Sequence, residues 1–202
     1  ITLCILLPPI FLCINTAKER LSVPLWKAYT FSNTATIIWS IATFNINDML
    51  FNLLMPLYLF IAFLYFKKIV NLSTDRLLLL FFIAAHYGCF SVVIGGVIGL
   101  YYEIVLWELA GYIANIILTL APIAYILQKI IWQLLKAPYS TTVQYLWVLT
   151  CMFSIVTTLV FVAIGYTRDS VWVFFFINAA LFFASIATYG IIAHVLRQTA
   201  QN

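Results

Sequence analysis

Residues 77–100, LLLLFFIAAHYGCFSVVIGGVIGL, form the apolar stretch that decides the fold. This stretch contains no Lys, Arg, Asp or Glu. As an α-helix it is about 36 Å long, which is enough to cross a hydrocarbon core about 30 Å thick. The stretch therefore predicts a transmembrane helix.

Small residues mark one face of this helix. At helical spacing Ala84, Gly88, Ser91, Gly95 and Gly99 share roughly one side. Small side chains let a neighbouring helix approach closely, so we expect this helix inside a bundle. The GxxxG spacing of Gly95 and Gly99 also permits a homodimer, but packing within one chain is the favoured interpretation.

The composition places the whole chain in a bilayer. It has 202 residues, of which 65% are hydrophobic and 8% charged, and its mean hydropathy is +1.10. A soluble fold of this size cannot bury so much apolar surface. The net charge of +4 is spread over short loops, so it indicates membrane topology rather than a DNA or RNA partner.

The pattern predicts an all-α, polytopic membrane protein, a single seven-helix transmembrane bundle. The first apolar run, residues 1–14, is only about 21 Å long as a helix, which is too short to span a bilayer. We therefore expect the chain to begin within a helix. A signal peptide is the alternative, but Pro8 and Pro9 interrupt the run and no basic segment precedes it. The predicted spans are about 1–14, 25–44, 49–66, 77–100, 106–135, 143–166 and 171–196.

The positive charges predict the orientation. Nine of the ten Lys and Arg lie in loops one, three and five or in the C-terminal tail: Lys18, Arg20, Lys27, Lys67, Lys68, Arg76, Lys129, Lys136 and Arg197. The other side has Arg168 together with Asp48, Glu103, Glu108 and Asp169. The positive-inside rule predicts an outside N-terminus and a cytoplasmic C-terminus.

Polar residues inside the predicted spans are candidates for ligand binding. His86 is the one readily ionisable side chain well inside a span, and Asn115 and Asn178 lie in spans five and seven. Span two carries a polar stripe, and span six a second one. The candidate set is His86, Asn115, Asn178, Asn33, Ser32, Thr36 and Ser154. The structural alternative is a neutral His86 hydrogen-bonded to Asn115, Asn178 or a Ser or Thr of a stripe.

The sequence lacks the residue patterns of an enzyme. We find no HExxH, no GxSxG and no paired carboxylates within the spans. His86 and Cys89 are three residues apart but lack an orienting third group. The four cysteines have no CxxC spacing and are expected to be core residues. We therefore expect no catalytic residue, metal or cofactor.

The sequence does not fit three other classes of seven-span membrane protein. A retinal protein needs a lysine in its last span, and Val171–Leu196 contains none. G-protein-coupled receptors carry an acidic and arginine motif after span three and an NPxxY-like motif in span seven, where this chain has FKK and INAALFF. Pro8, Pro9, Pro56 and Pro122 do not show the matched register of sugar-transporter-like repeats.

Several segments resemble the seven-span sensory input modules of bacterial sensor histidine kinases and diguanylate cyclases, and the stand-alone proteins similar to them. These segments are LWKAYTFSNTATIIW, NLLMPLYLFIAFLYFKK, GYIANIILTLAPIAYILQKI and FFFINAALFFASIATYG. The resemblance implies signal transduction in a bacterial cytoplasmic membrane. It also implies a cytoplasmic output domain or a partner kinase, and it transfers no catalytic residue.

Three functions follow as hypotheses. The first is a sensory or regulatory module that detects a small hydrophobic ligand or a membrane state and relays it through span seven. The second is a transporter or channel subunit, with His86, Asn115, Asn178 and the polar stripes along its route. The third is a structural subunit of a larger membrane complex, whose apolar outer face would be covered by partner chains.

Overall fold

The computed structural model describes residues 2–43, 48–99, 106–136, 146–153, 155–156 and 171–199. Helices dominate this part of the chain, as predicted. They are α1 (Thr2–Thr16), α2 (Leu25–Ala42), α3 (Asp48–Ile69), α4 (Thr74–Gly99), α5 (Leu106–Lys136), α6 (residues 146–153 and 155–156) and α7 (Val171–Thr199). A 3-10 turn, Lys18–Arg20, follows α1.

Most predicted spans begin and end within three residues of the bounds of the observed helices. Lys67 and Lys68 belong to the last turn of α3, and Asp75 belongs to the first turn of α4. Each charge has the sign that stabilises that helix end, so the helices continue beyond the apolar runs. Ile1, Phe44, Leu100, Ser154, most of span six and the outer-loop charges Glu103, Arg168 and Asp169 lie outside the described residues.

Two helices among the described residues are long and apolar enough to cross a membrane. They are Leu109–Lys136 within α5 and Phe176–Gln198 within α7. Only 12% of the first and 22% of the second is buried, whereas the core helix of a soluble protein would be mostly buried. Neither lies near the N-terminus, where a signal sequence would be. These two helices therefore indicate a membrane protein, and the seven-span arrangement stays a prediction.

Helix α1 shares the centre of the bundle with α4. It packs on α4, α2 and α5, and its Leu12, Cys13 and Ile14 are buried. The two helices are in close contact at Gly88, where an added Cβ would lie 2.8 Å from Cγ of Pro9. The prediction that small residues of α4 admit a neighbouring helix is confirmed at this position.

The loops after α1 and α3 are joined by backbone hydrogen bonds. The amide of Ser22 donates to the carbonyl of Ile69, and the amide of Asn71 donates to the carbonyl of Arg20, each at 2.7 Å. These bonds flank an isolated antiparallel bridge between Leu21 and Val70. Loops one and three therefore lie at the same end of the bundle.

The C-terminal ends of α5 and α7 lie at that end too. Arg76, in the first turn of α4, donates from Nη1 to the carbonyl of Leu135 at 2.8 Å. An added Cβ at Gly190 would lie 3.9 Å from Cδ1 of Ile130, so the C-terminal halves of α7 and α5 are adjacent. We call this the basic end, because Lys18, Arg20, Lys67, Lys68, Lys136 and Arg197 lie on the elements that meet there.

Candidate functional site

His86 lies in the interior, between α4 and α7. Its side chain is 1% exposed, and Nδ1 lies 3.3 Å from Oγ of Ser185. The Ser185 hydroxyl donates to the carbonyl of Phe182 at 2.7 Å. The contact between Nδ1 of His86 and Oγ of Ser185 links α4 to α7, and which atom donates depends on the imidazole tautomer.

Aromatic rings enclose the imidazole. Phe153 of α6 lies parallel to it, with ring centroids 6.1 Å apart and an interplanar angle of 5°. Phe182 meets the imidazole edge-on at 5.3 Å, and Phe90 of α4 stacks on Phe182 at 4.0 Å. We call His86, Phe90, Phe153, Phe182 and Ser185 the histidine cluster. A polar contact and several ring contacts within this cluster join α4, α6 and α7.

Asn178 extends the polar side of α7. It is fully buried and precedes Phe182 by four residues and Ser185 by seven, which is the spacing of one helix face. Ser91 of α4 is also fully buried, and its hydroxyl donates to the carbonyl of Gly88 at 2.7 Å. Buried polar atoms thus recur along the two helices that the histidine cluster joins.

The polar stripe of α2 lies elsewhere. Ser32 and Thr36 are buried and Asn33 is half-buried. The Thr36 hydroxyl donates to the carbonyl of Ser32 at 2.8 Å and lies 2.8 Å from the hydroxyl of Tyr58 on α3. Because α2 packs mainly on α1 and α3, these residues join the early helices and do not belong to the histidine cluster.

Asn115 is exposed on α5, contrary to its expected place along an internal route. Its amide donates to the carbonyl of Gly111 at 3.1 Å, one turn earlier in the same helix. Thr119 donates to the carbonyl of Asn115 at 2.8 Å. Polar side chains that bond back to their own helix need no neighbouring helix, so Asn115 can face outward. Ser154 falls outside the described residues.

Ser185, which was not among the candidates, contacts His86. Asn115 is exposed, and Thr36 of the α2 stripe bonds to Tyr58 of α3. A signal for Ser185 existed, because Asn178, Ser185 and Tyr189 have helical spacing on one face of α7. Tyr87 was also missed, and its hydroxyl donates to the carbonyl of Leu120 at 2.8 Å, joining α4 to α5.

Metal ligands and thiols are dispersed in the part of the chain that the structure describes. There, no group of three or more His, Cys, Asp or Glu lies close enough together to hold a metal ion. Cys13, Cys89 and Cys151 are free thiols, and Cys13 is buried. The histidine cluster itself supplies one imidazole, one hydroxyl and apolar rings.

Comparison with models of protein families, with curated proteins and with solved structures finds no match. Among the described residues, the fold is helical, with two helices long and apolar enough to span a membrane and a buried polar centre that joins α4, α6 and α7.

Proposed function

We propose that the chain is a membrane-embedded sensory or regulatory module, not an enzyme. The observation that carries this proposal is the contact between His86 and Ser185. It is a polar contact between the bundle interior and α7, the helix that leads to the C-terminal segment. A small hydrophobic ligand or a change in the bilayer that alters this contact would shift α7.

The mechanism requires two arrangements of α7 with similar free energies. Ring contacts such as Phe90 on Phe182 contribute about 0.5–1.5 kcal/mol beyond their buried area and tolerate offset geometries. The contact between Nδ1 of His86 and Oγ of Ser185 is long, at 3.3 Å. Ring contacts of this kind can form again in an offset position when α7 slides along α4.

The proposal includes a seven-span topology with the basic end in the cytoplasm. Loops one and three and the C-terminal ends of α5 and α7 share that end. The positive-inside rule then assigns it to the cytoplasmic side, where α7 would reach an output domain or a partner kinase. A bacterial cytoplasmic membrane follows from the family resemblance. Gly95 is buried within the chain, so a homodimer would use another surface.

Double electron–electron resonance, which measures the distance between two spin labels, tests the movement of α7. One label replaces Lys68 at the end of α3 and the other replaces Arg197 in the last turn of α7. The chain is reconstituted in bilayers of short-chain and long-chain phosphatidylcholine. We expect two distances whose populations change with bilayer thickness, and we expect Ser185→Ala to shift the ratio.

The matched control pair is Arg20 and Lys68. Backbone hydrogen bonds between loops one and three hold this pair together, so its distance should be the same in both bilayers. One unchanging distance between Lys68 and Arg197 in every bilayer would contradict the sensory proposal. A change in the control pair would show distortion of the whole bundle instead.

The C-terminal segment provides a second test. Deletion of His194–Asn202 should abolish signalling to any output partner while the remaining helices still fold, because Ala193 is the last fully buried residue among the described residues of α7 and only Leu196 beyond it packs, partly buried, on the core. Circular dichroism checks the helix content of the truncated chain. Unchanged signalling would count against α7 as the output helix.

Transport is the second candidate function. Fully buried Ser91, Thr150 and Asn178 lie on the same three helices as the histidine cluster, so polar groups recur in this interior. Flux of protons and small solutes into liposomes, with and without His86→Ala, separates the two functions. Flux that depends on His86 would favour transport, and no flux above that of empty liposomes would favour sensing.

A further inference from the structure

A groove of about 320 Å³ opens at the basic end, between α5 and the C-terminal end of α1. Its α5 wall consists of Tyr125, Gln128, Lys129 and Trp132. Their spacing of three, four and seven residues places all four on one helix face. This wall combines one cation, one amide and two aromatic side chains that have a polar edge.

The opposite wall comes from the end of α1 and the following 3-10 turn. It consists of Asn15, Lys18 and Glu19. Nε2 of Gln128 reaches across and donates to the carbonyl of Asn15 at 3.5 Å, which holds the two walls together. The groove is thus built by two elements that are 113 residues apart in sequence at this contact.

The charge of the groove favours an anion. Lys18 and Lys129 contribute two positive charges and Glu19 one negative charge, which leaves a net charge of one positive. A third cation is adjacent, because Nζ of Lys136 lies 3.2 Å from the ring centroid of Trp132. These ammonium groups are point donors that can approach phosphate oxygens from several directions.

The length of α5 is consistent with a position of the groove at the level of the lipid headgroups. Helix α5 has 31 residues. It is therefore about 46 Å long and exceeds a hydrocarbon core of about 30 Å. Lys129 lies seven residues before its C-terminal end, about 10 Å along the axis. Tyr and Trp concentrate at this level in membrane proteins, because their rings favour the apolar layer and their polar atoms favour water.

We propose that the groove binds the headgroup phosphate of an anionic phospholipid. Lys18 and Lys129 would bind the phosphate oxygens from the two walls. An acyl chain would lie along the same face of α5, where Leu118 is seven residues before Tyr125 and is 71% exposed. Basic pockets between helices at the cytoplasmic surface are suited to such headgroups. The proposal needs only a membrane location and is independent of any movement of α7.

Native mass spectrometry of the full chain from mixed nanodiscs tests this binding. The nanodiscs contain dioleoylphosphatidylcholine with a minor fraction of dioleoylphosphatidylglycerol. We expect the wild-type chain to retain phosphatidylglycerol preferentially. The double variant Lys18→Gln, Lys129→Gln should lose that preference by about fivefold for each lysine removed. Lys18→Arg with Lys129→Arg should keep it, which separates loss of charge from loss of fold.

The matched control is Lys27→Gln with Lys68→Gln. It removes the same charge from exposed residues at the same end, outside the groove. The proposal requires this variant to retain phosphatidylglycerol like the wild type. Equal losses in both double variants, or no lipid preference in the wild type, would overturn it. Displacement of the lipid by soluble glycerol 3-phosphate at low millimolar concentration would overturn it too, because it would assign the groove to a free phosphate ester.

Discussion

At Gly88 the missing side chain sets the separation of α1 and α4. An added Cβ would lie 2.8 Å from Cγ of Pro9, and a proline ring cannot rotate away. We predict that Gly88→Ala destabilises the bundle, because overpacking costs about 1–3 kcal/mol and exceeds a helix-propensity gain of about 1 kcal/mol. Thermal unfolding in a mild detergent, followed by circular dichroism, measures this change.

Gly190→Ala is the matched control for that substitution. The nearest atom to an added Cβ there is Cδ1 of Ile130 at 3.9 Å, an ordinary contact. Its unfolding temperature should stay the same or rise, because alanine favours a helix. Pro9→Ala combined with Gly88→Ala should recover much of the lost stability. Equal effects of the two single glycine substitutions would contradict the close contact.

The contact between His86 and Ser185 supports a second prediction about a single residue. Ser185→Ala removes the oxygen that lies 3.3 Å from Nδ1 of His86, and side-chain hydrogen bonds between membrane helices contribute about 0.6 kcal/mol on average. We expect a small loss of stability in the same unfolding measurement. Thr188→Ala is the control, because its exposed hydroxyl donates within its own helix, to the carbonyl of Ala184. A larger loss for Thr188→Ala would contradict the assigned importance of Ser185.

Individual polar residues were only partly predictable from sequence. His86 was correctly expected to be buried, because an imidazole in an apolar helix avoids lipid. Asn115 was expected on an internal route and is exposed, since it bonds to Gly111 of its own helix. Whether a polar side chain bonds to its own helix or to a neighbour depends on packing that sequence spacing does not encode.

Arg76 joins the N-terminal end of α4 to the C-terminal end of α5. Its Nη1 donates to the carbonyl of Leu135, in the last described turn of α5. We predict that Arg76→Gln weakens this end by about 1 kcal/mol, because the guanidinium is only half-buried. Hydrogen exchange should become faster in the last turn of α5.

Arg197→Gln is the control for Arg76→Gln. Arg197 is exposed in the last turn of α7, so the same change of charge there should leave exchange in α5 unaffected. Unchanged exchange in α5 after Arg76→Gln would show that this hydrogen bond does not restrain the helix end.

The lengths of the apolar runs predicted where the helices lie in the sequence better than they predicted how the helices pack. The ends of α3 and α4 follow from charged residues beside apolar runs, which the sequence displays. The position of α1 does not follow from the sequence, because a short run with two prolines suggests an incomplete span. Its central place depends on the contact between Pro9 and Gly88, two residues that are far apart in sequence.

The whole molecule shows large apolar side chains on the outside of the long helices. Leu118 of α5 and Phe183 and Ile191 of α7 are more than half exposed. In water such surfaces would associate, whereas acyl chains cover them at no cost. The composition predicted this surface, but the faces that are turned outward depend on how α5 and α7 pack on α4.

Nitroxide labels at Leu118 and Phe183, each in a cysteine-free variant reconstituted in liposomes, test most directly whether α5 and α7 lie in lipid. Collision with oxygen, which concentrates in the bilayer, is compared with collision with a water-soluble nickel chelate. We predict that both labels collide mainly with oxygen and that a label at exposed Arg20 collides mainly with the chelate. Labels at Leu118 and Phe183 that collide with the chelate as often as the Arg20 label would contradict the membrane location.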